Sequence, residues 1–107
     1  MEFVAGDTWE IDAQMLDADG NPFDLAGASI VWTLNDTRGR VNYLTRSVGS
    51  GITITNPAGG LATIVVSPTL SAAIAPGTYR DQARVTAAGG SVSVEWQGYV
   101  VVKNSNV

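Results

Sequence analysis

Ten carboxylates and six basic side chains, with no histidine and no cysteine, set what chemistry these 107 residues can do. Without His, the commonest general base and the commonest metal ligand are both missing. Without Cys there is no thiolate nucleophile and no disulfide framework. Ser-His-Asp and Cys-His catalysis are excluded, as is a zinc site of ordinary composition. Acid–base work would fall to carboxylates, and Asp7, Glu10, Asp12 and Asp17 are the nearest group in sequence. Glu10 and Asp12 stand two positions apart, so they share one face of an extended segment. That face alternates with Trp9, Ile11, Ala13 and Met15, so it is the outer face. A solvated carboxylate makes a poor general acid at neutral pH.

Other patterns are equally weak as chemistry. Asp17-Ala18-Asp19-Gly20-Asn21 has the opening spacing of a calcium loop, but Gly20 comes too early. Position 28, where the closing bidentate Glu belongs, is Ala28. The segment reads as a solvated hairpin loop. Asp81 has the parity of Tyr79, Ala83 and Val85, which turns it inward, and a buried acid needs hydrogen-bond partners. It reads as a structural Asp. Gly59-Gly60 and Gly89-Gly90 open no βα unit and precede no Lys-Ser/Thr pair, so neither cradles phosphate. The residues predict a non-enzymatic protein with no cofactor and no metal site.

The elements that carry these side chains follow from period-two alternation broken by turn signals. The expected strands are 2–5, 7–17, 28–36, 40–47, 51–55, 61–67, 77–87 and 91–103. Asp17–Pro22, Asp36–Gly39, Asn56–Gly60 and Ala88–Gly90 are the main turn signals between them. In strand 40–47 the apolar members are Val41, Tyr43 and Leu44, and Gly98 is a candidate bulge in the last strand. One helical turn is expected near 69–75, where Leu70 and Ile74 lie on one side and Pro76-Gly77 stops the chain. Twelve glycines, 45% hydrophobic residues and 15% charged residues suit a turn-rich all-β domain. We therefore expect a single immunoglobulin-like antiparallel β-sandwich over 1–107, of seven to eight strands. Trp32 falls mid-strand where such sandwiches bury a Trp. Tyr79, just after the helical turn, falls where a tyrosine corner sits.

Charge is divided along the chain. Residues 1–37 hold eight acids and no base, whereas residues 38–107 hold six bases and two acids, Asp81 and Glu95. In an immunoglobulin-like arrangement, strands 28–36, 40–47, 77–87 and 91–103 share a sheet that carries every base. The other sheet, around strand 7–17, presents Glu10 and Asp12. Such a domain has opposite signs on opposite faces, which suits head-to-tail docking of copies or neighbours. The candidate interaction surface comprises Glu10, Asp12, Arg40, Arg46, Arg80, Arg84, Trp96 and Tyr99. Edge strands, and the apolar run Tyr99–Val102, could also accept a neighbour's strand. A net charge of −4 disfavours nucleic acid and anionic membrane as partners. The opening residues carry no basic leader, and no apolar run reaches the ~18–20 residues of a membrane span. The expectation is synthesis in a bacterial cytoplasm without a signal peptide.

Four stretches carry a resemblance: Gly6-Asp7-Thr8-Trp9, Asp19-Gly20-Asn21-Pro22-Phe23-Asp24-Leu25-Ala26-Gly27-Ala28, Pro76-Gly77-Thr78-Tyr79 and Trp96-Gln97-Gly98-Tyr99-Val100-Val101-Val102. In this order the chain resembles the immunoglobulin-like domains of tailed-phage baseplate and tail proteins, and is similar to the N-terminal domain of the upper baseplate protein family. The resemblance spans nearly the whole chain and is carried mostly by turns. It implies a virion structural role in a phage or prophage tail, baseplate or fibre, with other tail proteins as partners and a possible homo-oligomer. Relatives of this kind often continue into a fibre or receptor-binding region, whereas this sequence stops at Val107. The resemblance brings no catalytic residues. The alternative reading is a carbohydrate- or receptor-binding sandwich of a host-adhesion device, with Tyr43, Trp96 and Tyr99 as its aromatic platform.

Overall fold

A computed structural model describes residues 2–17, 19–90 and 92–103, with only the backbone given for 92–96. It is an immunoglobulin-like β-sandwich with eight strands and one short helix among the described residues. The strands are β1 (Glu2–Val4), β2 (Trp9–Gln14), β3 (Ser29–Asn35), β4 (Asn42–Val48), β5 (Gly51–Asn56), β6 (Leu61–Val66), β7 (Gly77–Thr86) and β8 (Val92–Lys103). The helix α1 (Pro68–Ala72) precedes β7. Hydrogen bonding runs continuously in the order β1-β8-β7-β3-β4-β5-β6-β2. This ribbon folds over where β4 meets β5, giving one layer of β1-β8-β7-β3-β4 and a second of β5-β6-β2.

Alternation sorts the side chains as the sequence predicts. Trp9, Ile11, Ile30, Trp32, Leu34, Ile64, Val66, Val85, Val100 and Val102 all point into one buried cluster. Trp32 is fully buried, and its indole Nε1 donates to Asp81 Oδ2 at 3.1 Å. Tyr79 is buried, and its hydroxyl donates to the carbonyl of Ala75, four residues upstream, which is a tyrosine corner. Leu25, in the loop before β3, is also fully buried. Ser67 caps α1 by accepting from Leu70 N at 3.4 Å, and Pro68 fits the first helical turn, where its missing N–H costs nothing.

Several expectations need correction. Two pairings are parallel rather than antiparallel: β1 with β8, and the two-residue contact of β4 with β5. The strand expected at 7–17 ends at Gln14: Met15 N–H still reaches Gly60 O at 2.7 Å, but Gly60 N–H turns to Pro57 O at 3.1 Å and Met15 O accepts from Phe23 N at 2.8 Å instead, so the ladder is not continued. Val41 and Tyr43 are not core residues: they are 47% and 46% exposed, and Leu44 alone turns inward from that part of the chain. The β3–β4 register shifts between Leu34 and Asn35, which takes Tyr43 out of the alternation and stacks it edge-on against Tyr79. Gly98 is not the bulge. The β7–β8 register shifts between Ala83 and Arg84, while Gly98 lies opposite Asp81, where a Cβ would sit 3.2 Å from Oδ1.

Candidate functional site

The two layers present two outer faces of different character. On the β7–β3 face the outward side chains form three cross-strand pairs: Arg80 with Asn35, Gln82 with Thr33, and Arg84 with Val31. On the β2–β6 face three further pairs stand in the same spacing: Glu10 with Val65, Asp12 with Thr63, and Gln14 with Leu61. Both sets repeat every second residue, so successive pairs lie ~7 Å apart along the strands. Glu10, Asp12 and Arg84 are exposed, and Arg80 is half-buried. Each face also keeps exposed apolar surface: Val31 at 36% on the basic one, Val65 at 36% and Leu61 at 37% on the acidic one. An open depression lined by Val31, Thr33, Gln82 and Arg84 marks the first face. Another, lined by residues that include Asp12, Gln14, Leu61 and Thr63, marks the second.

Local contacts hold these groups in place. Thr63 Oγ1 donates to Asp12 Oδ1 at 3.0 Å, which fixes the carboxylate without neutralising it. Arg80 Nη2 donates to Gln97 Oε1, leaving other guanidinium donors for a partner. Tyr99 stands beside them, opposite Arg80 on β8 and 64% exposed.

The remaining sequence-derived candidates lie elsewhere. Arg40 is exposed in the β3–β4 turn, not on a sheet face. Arg46 is opposite Trp32, so its parity is inward, and its side chain crosses the sandwich edge to donate from Nε to Val65 O at 3.1 Å. The reason lies in β5. Its ladder with β6 runs from Ile52 to Asn56, and at Gly51 the chain has already swung across to pair with β4. The Val65 carbonyl is beyond that ladder, and Arg46 supplies its donor. The side chain of Trp96 lies outside the described residues. Tyr99–Val102 is core strand, with Val100 and Val102 buried, and it is paired to β7 throughout and to β1 from Val101.

The side chains that sequence reading missed are the uncharged ones: Val31, Thr33, Gln82, Val65, Thr63 and Leu61. Parity alone would have placed them outward beside the charges. Asp36 also takes a local role. It accepts from Arg40 N at 2.6 Å and Val41 N at 3.1 Å, closing the β3–β4 turn. The Val41 amide is the chief cause of its lowered pKa, with the Arg40 amide and the nearby Arg38 and Arg40 charges acting the same way against partial desolvation. Asp17 Oδ1 accepts from Asp19 N and Asn21 N, both at 2.9 Å, and so organises the acidic loop. Among the described residues, no group of three or more acidic, His or Cys side chains is placed to hold a metal ion. Among them, too, no helix is long and apolar enough to cross a membrane.

No protein-family model matches the chain, and no curated protein matches it. Solved structures do. The chain is similar to CopC from Methylosinus trichosporium OB3b at 16% identity and a TM-score of 0.54, over 99% of this chain and 86% of that one. It is also similar to AggA, the major subunit of aggregative adherence fimbriae type I from Escherichia coli, at 14% identity and a TM-score of 0.39, over 97% and 89%. At such identities the first likeness speaks for the sandwich fold alone, and the second, so loose in geometry, adds nothing to it.

Proposed function

We propose that this chain is a non-enzymatic contact module of a phage- or prophage-type tail, baseplate or fibre assembly, residing in the virion. The observation that supports this reading is the segregation of charge. Glu10 and Asp12 stand on one outer face, Arg80 and Arg84 on the opposite one, and uncharged residues fill the rows between them. At the far edge of the basic layer Glu2 is paired with Lys103 at 3.1 Å, two strands from β7, so the single sign belongs to the β7–β3 rows and not to the whole layer. Segregated charge steers encounter and fixes orientation between neighbours. The tail setting comes from the resemblance carried by Gly6–Trp9, Asp19–Ala28, Pro76–Tyr79 and Trp96–Val102.

Co-expression with the proteins encoded by adjacent genes, followed by native mass measurement, tests this. The expected result is a complex of defined mass, its yield lowered about tenfold by Arg80→Glu with Arg84→Glu, a loss of ~1.4 kcal/mol. A chain that joins no particle with any neighbour overturns the reading. One observation favours the alternative, a carbohydrate- or receptor-binding module: Tyr99 is 64% exposed beside Arg80 and Gln97. Saturable glycan binding that disappears in Tyr99→Ala would decide for it.

A further inference from the structure

We infer that the partner of the basic face is the acidic face of a second copy of this chain, and that copies stack by translation, β7 over β2 and β3 over β6. The inference rests on the contact-module reading and names the partner.

Strand direction comes first. β2 is antiparallel to β6, and β6 to β5; β5 runs parallel to β4; β4 is antiparallel to β3, and β3 to β7. So β2 and β7 run the same way. The ribbon winds in one sense from β7 through β3 to β6 and then β2. Viewed from outside with β7 and β2 both pointing up, β3 and β6 therefore lie on opposite hands. Two faces brought together mirror each other. β3 consequently falls over β6 when β7 lies parallel over β2. A second copy moved through about one sandwich thickness, without rotation, meets this condition.

The side chains then match row by row. Arg80 comes to Glu10 with Asn35 over Val65. Gln82 comes to Asp12, and its amide donates to the carboxylate oxygen that Thr63 does not occupy. Arg84 comes to Gln14, and beside that pair Val31 covers Leu61, joining surface that is 36% and 37% exposed in the single copy. Sliding by one row leaves one arginine and at least one exposed apolar side chain unmatched. The antiparallel alternative places β6 over β8 and breaks the rows. Stacked sheets cross at about 30°. That angle displaces the outer rows, ~7 Å from the middle one, by only ~3.5 Å, less than the ~4.8 Å between strands.

The contact is small. Three rows across two strands cover about 200–300 Å² per copy, below the ~800 Å² of a standard stable interface. Pairwise association is therefore weak, and it strengthens when an assembly holds copies together. The joint is also heterologous, so it propagates as an open stack.

The absence of cysteine makes the test clean. Val31→Cys protein is mixed at ~1 mM, where interfaces this small associate, with Leu61→Cys and separately with Val65→Cys protein, and oxidised. Heterodimer yields are read by mass, and melting curves verify that each variant is folded. The translational stack gives at least fivefold more 31–61 than 31–65 product. Arg80→Glu in the Val31→Cys chain removes that excess, and Glu10→Arg in the Leu61→Cys chain restores it. Equal yields, an excess of 31–65, or an excess indifferent to Arg80→Glu each overturns the stack. Failure here with capture by an adjacent-gene protein overturns only the self-partner. Failure of both overturns the contact-module reading as well.

Discussion

At the scale of single residues, the hydrogen bonds of Trp32 and Ser71 bind regions distant in sequence. Trp32 Nε1 reaches Asp81 on the neighbouring strand, 49 residues away in sequence. Trp32→Phe keeps an aromatic ring but is smaller and has no N–H, so it leaves a gap in the core and removes a donor from a buried carboxylate; thermal or urea unfolding is expected to show a loss of about 2–4 kcal/mol. Ser71, fully buried, accepts from Gly6 N at 3.0 Å and donates to Asp7 O at 2.6 Å, tying α1 to the turn after β1. Both groups lose their partner in Ser71→Ala, for which about 1–3 kcal/mol is again expected. Trp32, Tyr79 and the inward turn of Asp81 were legible in sequence, because alternation fixes which side each takes. Ser71 was not. Its role needs the chain ends of β1 and α1 in contact, and local pattern says nothing of a link spanning 64 residues.

At the scale of elements, turns decide more than strands. Gly60 closes the β5–β6 turn at φ +68°, and a Cβ there would fall 2.4 Å from Met15 O and 3.0 Å from Phe23 O. Both are backbone atoms, and Met15 O is held by the Phe23 N–H at 2.8 Å, so no side-chain shift relieves the overlap. Gly90 has φ +93° with open space around its Cβ direction. Gly90→Ala is expected to cost ~1–2 kcal/mol from backbone conformation alone, and Gly60→Ala at least ~1–3 kcal/mol more from the overlap, a difference visible as separated melting midpoints. The Asp36 turn yields a pH prediction. Its folded pKa lies below the ordinary 3.8, so the carboxylate stabilises the turn above the unfolded value and this contribution disappears as pH falls through the folded one. Amide exchange or chemical shifts of Arg40 and Val41 should report that loss in acid, and Asp36→Asn should abolish the pH response. Sequence pattern located these turns well. It missed Arg46, whose destination depends on β5 leaving β6 at Gly51, a packing event between strands rather than a property of either.

At the scale of the whole molecule, the uneven charge along the sequence becomes two faces because β2 and β7 belong to different layers. That much was readable once the sandwich was assumed. The row-by-row match was not, since it depends on registers that only cross-strand pairing fixes. Charge-driven contact between such faces weakens once the screening length, ~10 Å at 0.1 M salt, shrinks toward ~3 Å at 1 M. Self-association should therefore fall between low and high ionic strength, while the melting midpoint, set mainly by the apolar interior, changes little.

The most direct test is sedimentation, at ~1 mM protein where the unaltered chain associates, of two charge-reversed proteins, separately and mixed. Arg80→Glu with Arg84→Glu makes both faces acidic, and Glu10→Lys with Asp12→Lys makes both basic. Each double reversal changes the net charge of −4 by four, to −8 and to 0, so overall charge gives the pair no net attraction. Charge-complementary faces require each variant alone to be monomeric at low salt, and the equimolar mixture to recover the weight-average mass of the unaltered protein. A mixture that stays monomeric, or variants that each associate as the unaltered chain does, contradicts it.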